Sequence, residues 1–172
     1  MPIKKKNKRI PAARLAKIKL VILDVDGVMT DGRMVYGVNG IDLKFFDVYD
    51  GFGITRAIEK GLRLAIISRG ASEVSLKRAN ALGITDVQQR ASDKLKVAEE
   101  MFASYNLDPS EVCFIGDDEY DLGLLRAVGV SAAPGTAYPP VRAEVDIVTK
   151  APGGRGAVRE VLDMILRAKN LL

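Results

Sequence analysis

The chain has 172 residues, 48% of them hydrophobic, a formal charge of +4, one cysteine, and neither histidine nor tryptophan. That length is near the mode for one domain and buries roughly 70% of the unfolded surface on folding. Without histidine there is no Ser-His-Asp triad, Cys-His pair or HExxH zinc site, so proton transfer near neutral pH falls to carboxylates, lysine, tyrosine or the lone thiol.

The positive charge belongs to one end. Residues 1–23 carry eight bases (Lys4, Lys5, Lys6, Lys8, Arg9, Arg14, Lys17, Lys19) and no acid, leaving 18 bases against 22 acids and a body charge of −4. No aromatics are interleaved with the bases, so residues 1–17 read as a solvated, disordered basic tail before a single domain over 18–172, with no nucleic-acid partner. The single thiol, and the lack of any signal-like or membrane-spanning run, point to the cytoplasm and to no membrane partner.

From Ile18 onward, short β-branched apolar runs alternate with segments of helical spacing. Strands are expected at 19–26, 62–68, 86–89, 111–117, 130–134 and 146–150, and helices at 51–60, 72–82, 92–105, 119–128, 139–144 and 155–169. Ser72 and Ser92 stand where helix caps belong, and Gly61, Gly83 and Gly129 where helices end. Such alternation predicts an α/β fold with a doubly wound, mainly parallel, Rossmann-like sheet covered by helices on both faces. Residues 33–46 break the pattern. The Asn39-Gly40 pair there signals a small β-hairpin, too short for a domain but placed to be a flap.

In a parallel sheet, ligands bind outside the carboxyl ends of the strands. Asp24, Ser68 and Asp117 all stand at such ends, and Lys94 opens the helix after the 86–89 strand. Asp24, Asp26, Asp117, Asp118 and Asp121 crowd one rim and repel one another unless a cation sits among them. An all-oxygen donor set suits a hard ion, of which Mg2+ is the best match. On such a rim a carboxylate can attack phosphorus and form an aspartyl-phosphate, while the ion, Lys94 and Ser68 serve the phosphoryl oxygens. Asp26, two residues along a strand and on the same side, can protonate the leaving alcohol and later accept a proton from water.

Taken together, DVDGVMTDG, Ile66-Ile67-Ser68, Lys94 and GDDEYD resemble the haloacid dehalogenase superfamily of phosphohydrolases, in order over residues 19–150. The resemblance implies Asp24 as nucleophile, Asp26 as general acid and base, and Ser68 and Lys94 as phosphate ligands. It further implies Mg2+ held by Asp24, Asp117 and the backbone carbonyl of Asp26, with Asp118 and Asp121 as supporting acids. Only 43 residues separate Asp24 from Ser68 and 48 separate Ser68 from Asp117, too few for an inserted cap domain. The chain is thus similar to the capless branch containing the 3-deoxy-D-manno-octulosonate 8-phosphate phosphatases, which also share the hairpin, the DxxDGFG stretch at 47–53 and GGRGAVRE at 153–160.

That branch implies a phosphorylated sugar acid as substrate, lipopolysaccharide biosynthesis as the setting, and a homotetramer in which neighbouring subunits complete each pocket. Carried over by position, the substrate-binding set is Asp26, Asp47, Val48, Tyr49, Asp50, Gly51, Thr55, Arg69, Gly70, Arg78 and Lys94. Three positions depart from the branch. Ser68-Arg69-Gly70 replaces Thr-Gly-Arg, while Tyr49 and Thr55 stand where basic residues are expected; all face the sugar rather than phosphorus. A nonulosonate 9-phosphate is therefore an alternative substrate, and a catalytically retired assembly module of a sugar-nucleotide pathway an alternative role. A response-regulator receiver is excluded by order, since Lys94 precedes the acidic pair at 117–118. Cys113 reads as buried core, because a thiol phosphatase would want arginine at the position of Glu119. The GGRG run is too short to claim as a phosphate loop.

Overall fold

Four-residue stretches of continuous apolar sequence, such as Leu20–Leu23 and Val112–Ile115, leave no face for water, and both are buried at every position. They form the centre of the sheet in the computed structural model, which describes residues 10–35, 38, 40 and 42–172. The strands are β1 (Leu20–Leu23), β2 (Arg63–Ile67), β3 (Asp86–Gln88), β4 (Val112–Ile115), β5 (Val130–Ala133) and β6 (Ile147–Val148). Their order is β3-β2-β1-β4-β5-β6, with every pairing parallel.

The helices are α1 (Ala12–Ala16), α2 (Val48–Glu59), α3 (Glu73–Leu82), α4 (Lys94–Tyr105), α5 (Leu122–Ala127), α6 (Pro139–Glu144) and α7 (Ala157–Ala168). Strand side chains alternate between two cores. Val21 and Leu23 face a core shared with α2, α3 and α7, whereas Leu20 and Ile22 face one shared with α4 and α5. This is the doubly wound architecture expected, and among the described residues no inserted domain interrupts it.

Several boundaries move for identifiable reasons. Helix α2 starts at Val48 because the Asp47 carboxylate accepts the Asp50 amide at 3.0 Å, capping three residues earlier than the apolar spacing shows. Ser72 caps α3 as expected, but Asp93 rather than Ser92 caps α4. The expected helix at 119–128 divides into a 3-10 turn at Glu119–Asp121 and α5. Gly83 ends α3 in the left-handed region. Gly129 does not end a helix in that way, and its lack of a side chain instead lets the Ser110 backbone pass against it.

The disordered tail assigned to residues 1–17 is corrected over its second part. Residues Ala12–Ala16 are helical, Leu15 is buried in the core, and Arg14 pairs with Asp146 at 2.9 Å. A short basic helix is held here by one apolar side chain and one distant carboxylate, which charge counting does not weigh. Residues 1–9 lie outside the described residues. So do Tyr36, Gly37, Asn39 and Ile41, on which the hairpin turn was expected. The flanking residues 33–35 and 42–46 carry no strand, and side-chain bonds from Asp42 and Lys44 hold the second of these segments instead of a ladder.

Candidate active site

The sheet carries its hydrogen bonding one residue past each central strand, and those extra residues are the chemical ones. The Asp24 amide donates to the Ile115 carbonyl at 3.0 Å and the Ser68 amide to the Gln88 carbonyl at 2.9 Å. Both side chains therefore stand on the rigid sheet edge. After Asp24 the chain turns tightly: Val28, Met29 and Thr30 all donate amides to the Val25 carbonyl. Gly27 makes the turn possible with φ +85°, and a Cβ there would overlap the Asp117 carboxylate.

Lys94, in the first turn of α4, is buried between two carboxylates. Its Nζ lies 2.9 Å from Asp24 Oδ2 and 2.6 Å from Asp121 Oδ1. Asp121 Oδ2 in turn accepts the amides of Asp117 at 2.8 Å and Asp118 at 3.2 Å. Asp121 thus anchors both Lys94 and the Gly116-Asp117-Asp118 loop, and neither of its oxygens is spare. Asp24 Oδ1 accepts the Val25 amide at 2.7 Å. Asp118 is exposed and caps the following turn.

Electrostatics follow from this crowding. Burial pushes the Asp24 carboxyl up to about 6, with Lys94 opposing and Asp121 reinforcing the rise. Asp117 is pushed up to about 7 by burial, then by Asp24, Asp121 and Asp118. Burial alone would lower the Lys94 ammonium, but Asp24 and Asp121 hold it above its ordinary value. One oxygen from each of Asp24, Asp117 and Asp121 lies within 4.8 Å of the others. Among the described residues nothing donates a hydrogen bond to the Asp117 carboxylate, the group with the least compensation. Asp24 and Asp121 both pair with Lys94, which among the described residues leaves Asp117 as the carboxylate without a partner, and the oxygen-only set of Asp24, Asp117 and Asp121 fits a hard cation.

Asp26 completes the rim, its Oδ1 2.5 Å from Lys44 Nζ. A Cβ on Gly70 would lie 3.8 Å from Asp26 Oδ2 and 3.9 Å from Ser68 Oγ, so both groups border that glycine. Asp24, Asp26, Ser68, Gly70, Lys94, Asp117 and Asp121 are thereby brought together. Lys44 was not among the residues singled out from sequence. Its signal is a lone charge in Leu43-Lys44-Phe45-Phe46, whose side chain is 9% exposed while Leu43 and Phe45 are exposed.

The remaining positions do other work within one chain. Asp50 is buried and accepts the Gly156 and Arg159 amides at 3.0 and 2.8 Å, fastening the start of α7. Arg78 donates to the Asp47 carbonyl at 3.1 Å and lies against Gly51. Thr55 donates back to the Gly51 carbonyl. Val48 and Tyr49 are exposed, and Arg69 stacks on the Tyr120 ring at 3.7 Å. Among the described residues none of these bonds to the carboxylates of Asp24, Asp26 or Asp117. The GGRG run packs on the back of the Asp24 loop: Gly154 donates to the Val28 carbonyl at 2.9 Å, and Gly153 touches the Gly27 backbone. Cys113 is fully buried in β4, as expected, and burial pushes its thiol far up.

Comparison with known proteins agrees with this geometry. Residues 59–162 match the family described as haloacid dehalogenase-like hydrolase. The 3-deoxy-D-manno-octulosonate 8-phosphate phosphatase of Yersinia pestis is 44% identical over 159 residues, which cover 92% of this chain and 85% of that protein. Its crystal structure superposes with a TM-score of 0.92 at 43% identity, covering 94% of this chain and 87% of that one. The Moraxella catarrhalis phosphatase of the same name, solved with magnesium ion, phosphate ion and a KDO molecule, gives a TM-score of 0.90 at 36% identity, covering 92% and 91% of the two chains. The chain belongs to the haloacid dehalogenase-like hydrolases, in the family of phosphoric monoester hydrolases that comprises the 3-deoxy-D-manno-octulosonate 8-phosphate phosphatases.

Proposed function

We propose that this chain is a Mg2+-dependent phosphatase for a phosphorylated sugar acid, 3-deoxy-D-manno-octulosonate 8-phosphate first among them, acting through an aspartyl-phosphate on Asp24. The observation that carries the reading is the convergence of Asp24, Asp26, Ser68, Lys94 and Asp117 on one sheet edge, in a chain 44% identical to a phosphatase of that name. Asp24 and Asp117 would hold the cation, together with the Asp26 carbonyl. When bound, that ion supplies positive charge that neutralises phosphoryl oxygens and lowers the repulsion among the carboxylates.

The chain's own groups divide the rest. The Asp24 carboxylate attacks phosphorus as the bond to the leaving oxygen breaks, and the protonated Asp26 gives its proton to that oxygen. Asp26, now ionised, takes a proton from water as the water oxygen bonds to phosphorus and the Asp24–phosphorus bond breaks, releasing phosphate and restoring both carboxyls. Lys94, already at Asp24 Oδ2, is placed to neutralise the transferred group, and the Ser68 hydroxyl to donate to it. Asp121 keeps Lys94 and the Asp117 amide in place throughout.

The pocket is completed by a second copy in this reading. Leu43, Phe45, Val48, Tyr49 and Phe52 are all exposed on the 42–46 segment and the first turns of α2, more apolar surface than one copy covers. Asp47, Val48, Tyr49 and Thr55 would then meet the sugar of a neighbour's site, and the family's homotetramer is the assembly we favour. Light scattering that returns a monomer at micromolar concentration overturns this part.

The deciding assay is phosphate release from a panel of 2-keto-3-deoxy sugar phosphates, octulosonate 8-phosphate and nonulosonate 9-phosphates included, with Mg2+ or with EDTA. Wild type is expected to turn over the octulosonate ester in Mg2+ alone, and Asp24→Asn to be inactive though folded. A wild type inert on the whole panel, or an active Asp24→Asn, overturns the reading.

A further inference from the structure

The 42–46 segment shows a feature that the catalytic residues named so far do not explain. Its side chains alternate inward and outward, as those of extended chain do. Asp42 Oδ2 accepts the Ser72 hydroxyl at 2.6 Å, Lys44 Nζ meets Asp26 Oδ1 at 2.5 Å, and Phe46 packs against the core. Between them Leu43 and Phe45 point outward, 53% and 68% exposed. The segment is thus a strap pinned at one point to the loop after β2 and at the next to the loop after β1.

The pin at Lys44 is unusual for a surface-derived lysine, because its side chain is 9% exposed while the carboxylate it holds is 37% exposed. A solvated ion pair would leave the long lysine free, whereas here the lysine is the fixed partner and the carboxylate faces the crevice. The two oxygens of Asp26 are also unequal. Oδ1 is held by Lys44, and Oδ2 borders Gly70, as the Ser68 hydroxyl also does, with no hydrogen bond among the described residues. The crevice at that point is where Ser68 would meet a phosphoryl group, and so where the leaving oxygen must be.

We infer that Lys44 is a positioning residue: from the strap it grips Oδ1 of Asp26 so that Oδ2 is the oxygen presented to the leaving group. The inference rests on the phosphatase reading, since it assigns a task to the general acid of that reaction. In the step concerned, the proton on Asp26 Oδ2 passes to the ester oxygen as the phosphorus–oxygen bond breaks, and Oδ1 keeps its bond to Lys44. Losing that grip leaves Asp26 present but free to rotate, which costs part of the general-acid factor of about 10²–10⁴.

The test compares kcat/KM of wild type, Lys44→Met, Lys44→Arg and Asp42→Ala on two monoesters. One is a sugar-acid phosphate, whose alcohol needs a proton to leave, and the other is p-nitrophenyl phosphate, whose phenolate does not. Lys44→Met is expected to lose on the order of tenfold or more on the alkyl ester while staying near wild type on the aryl ester. Lys44→Arg should regain most of the loss, and Asp42→Ala should show a smaller loss of the same selectivity.

Equal losses on both esters would make Lys44 a contact to the phosphate itself and overturn the inference, as would no loss on either. Wild type inactive on both esters fails the phosphatase reading and takes the catalytic half of this inference with it. The tether is read separately by amide hydrogen exchange over 42–46, which is expected to speed up in Lys44→Met. Unchanged exchange there overturns the tether whatever the activity.

Discussion

The uncompensated carboxyl of Asp117 makes a pH-dependent prediction whose sign can be worked from the fold. Its pKa in the folded chain is pushed from 3.8 up to about 7, first by burial and then by Asp24, Asp121 and Asp118. A carboxyl raised in this way contributes to stability only while protonated. Its contribution is intact below about pH 3.8, declines as the unfolded chain ionises, and is lost as pH passes about 7. The full loss is on the order of 4 kcal/mol, because each pH unit between the two pKa values is worth about 1.4 kcal/mol. Other acids titrate too, so the comparison is wild type against Asp117→Asn, which keeps the shape and cannot ionise. In EDTA the variant should match wild type near pH 4 and melt above it near pH 8, by roughly 10 °C for the full effect in a chain of this size. A cation that requires the ionised carboxylate reverses the order: millimolar Mg2+ should raise the wild-type melting temperature strongly at pH 8, weakly at pH 5, and leave Asp117→Asn almost unmoved. Calorimetry at four pH values with and without Mg2+ reads both effects. A difference between the two proteins that does not change with pH, or an equal Mg2+ shift in both, refutes the reasoning.

Removing Lys94 should be costly in a different way, since Lys94→Met strands Asp24 and Asp121 as buried carboxylates without a counter-charge. A loss of about 3–5 kcal/mol is expected at pH 8 by denaturant melts, shrinking toward pH 5 as the Asp24 carboxyl protonates, together with loss of phosphate release. Asp50→Ala should cost about 1–3 kcal/mol, because the Gly156 and Arg159 amides lose their acceptor at the start of α7; thermal melts with no shift would show that water replaces it. Gly27→Ala puts a Cβ into the Asp117 carboxylate and a side chain at φ +85°, so Mg2+ titration should show weakened binding beyond any loss of stability.

What the sequence disclosed and what it hid separate along a physical line. Periodicity exposes whatever is buried on both faces or ends on a sheet edge, so β1, β2, β4 and the convergence of Asp24, Ser68, Lys94 and Asp117 at one edge are legible, as is the all-oxygen donor set. The strand-end position of Asp24 needs no tertiary knowledge once a parallel sheet is expected. Periodicity says nothing about which distant side chain satisfies an exposed helix or a turn. Helix α1 is invisible in a run of bases because its anchor, Asp146, lies 132 residues from Arg14. Asp50 sits in a motif that invites a ligand role, yet its carboxylate is spent on the amides of α7, 106 residues or more away.

The case of Asp121 is the most instructive. By count it is one more acid on a crowded rim, and by geometry it is the buried acid that ties Lys94 to the Gly116-Asp117-Asp118 loop, one oxygen on Lys94 and the other on two amides. Composition gives the number of charges at a site. Only the placement of donors tells which carboxylates are left without compensation, and among the described residues these are Asp117, whose carboxylate accepts no hydrogen bond, and Oδ2 of Asp26. Lys44 follows the same logic from the other side: a cation hidden in an apolar stretch becomes visible only when its ion pair with Asp26 is seen.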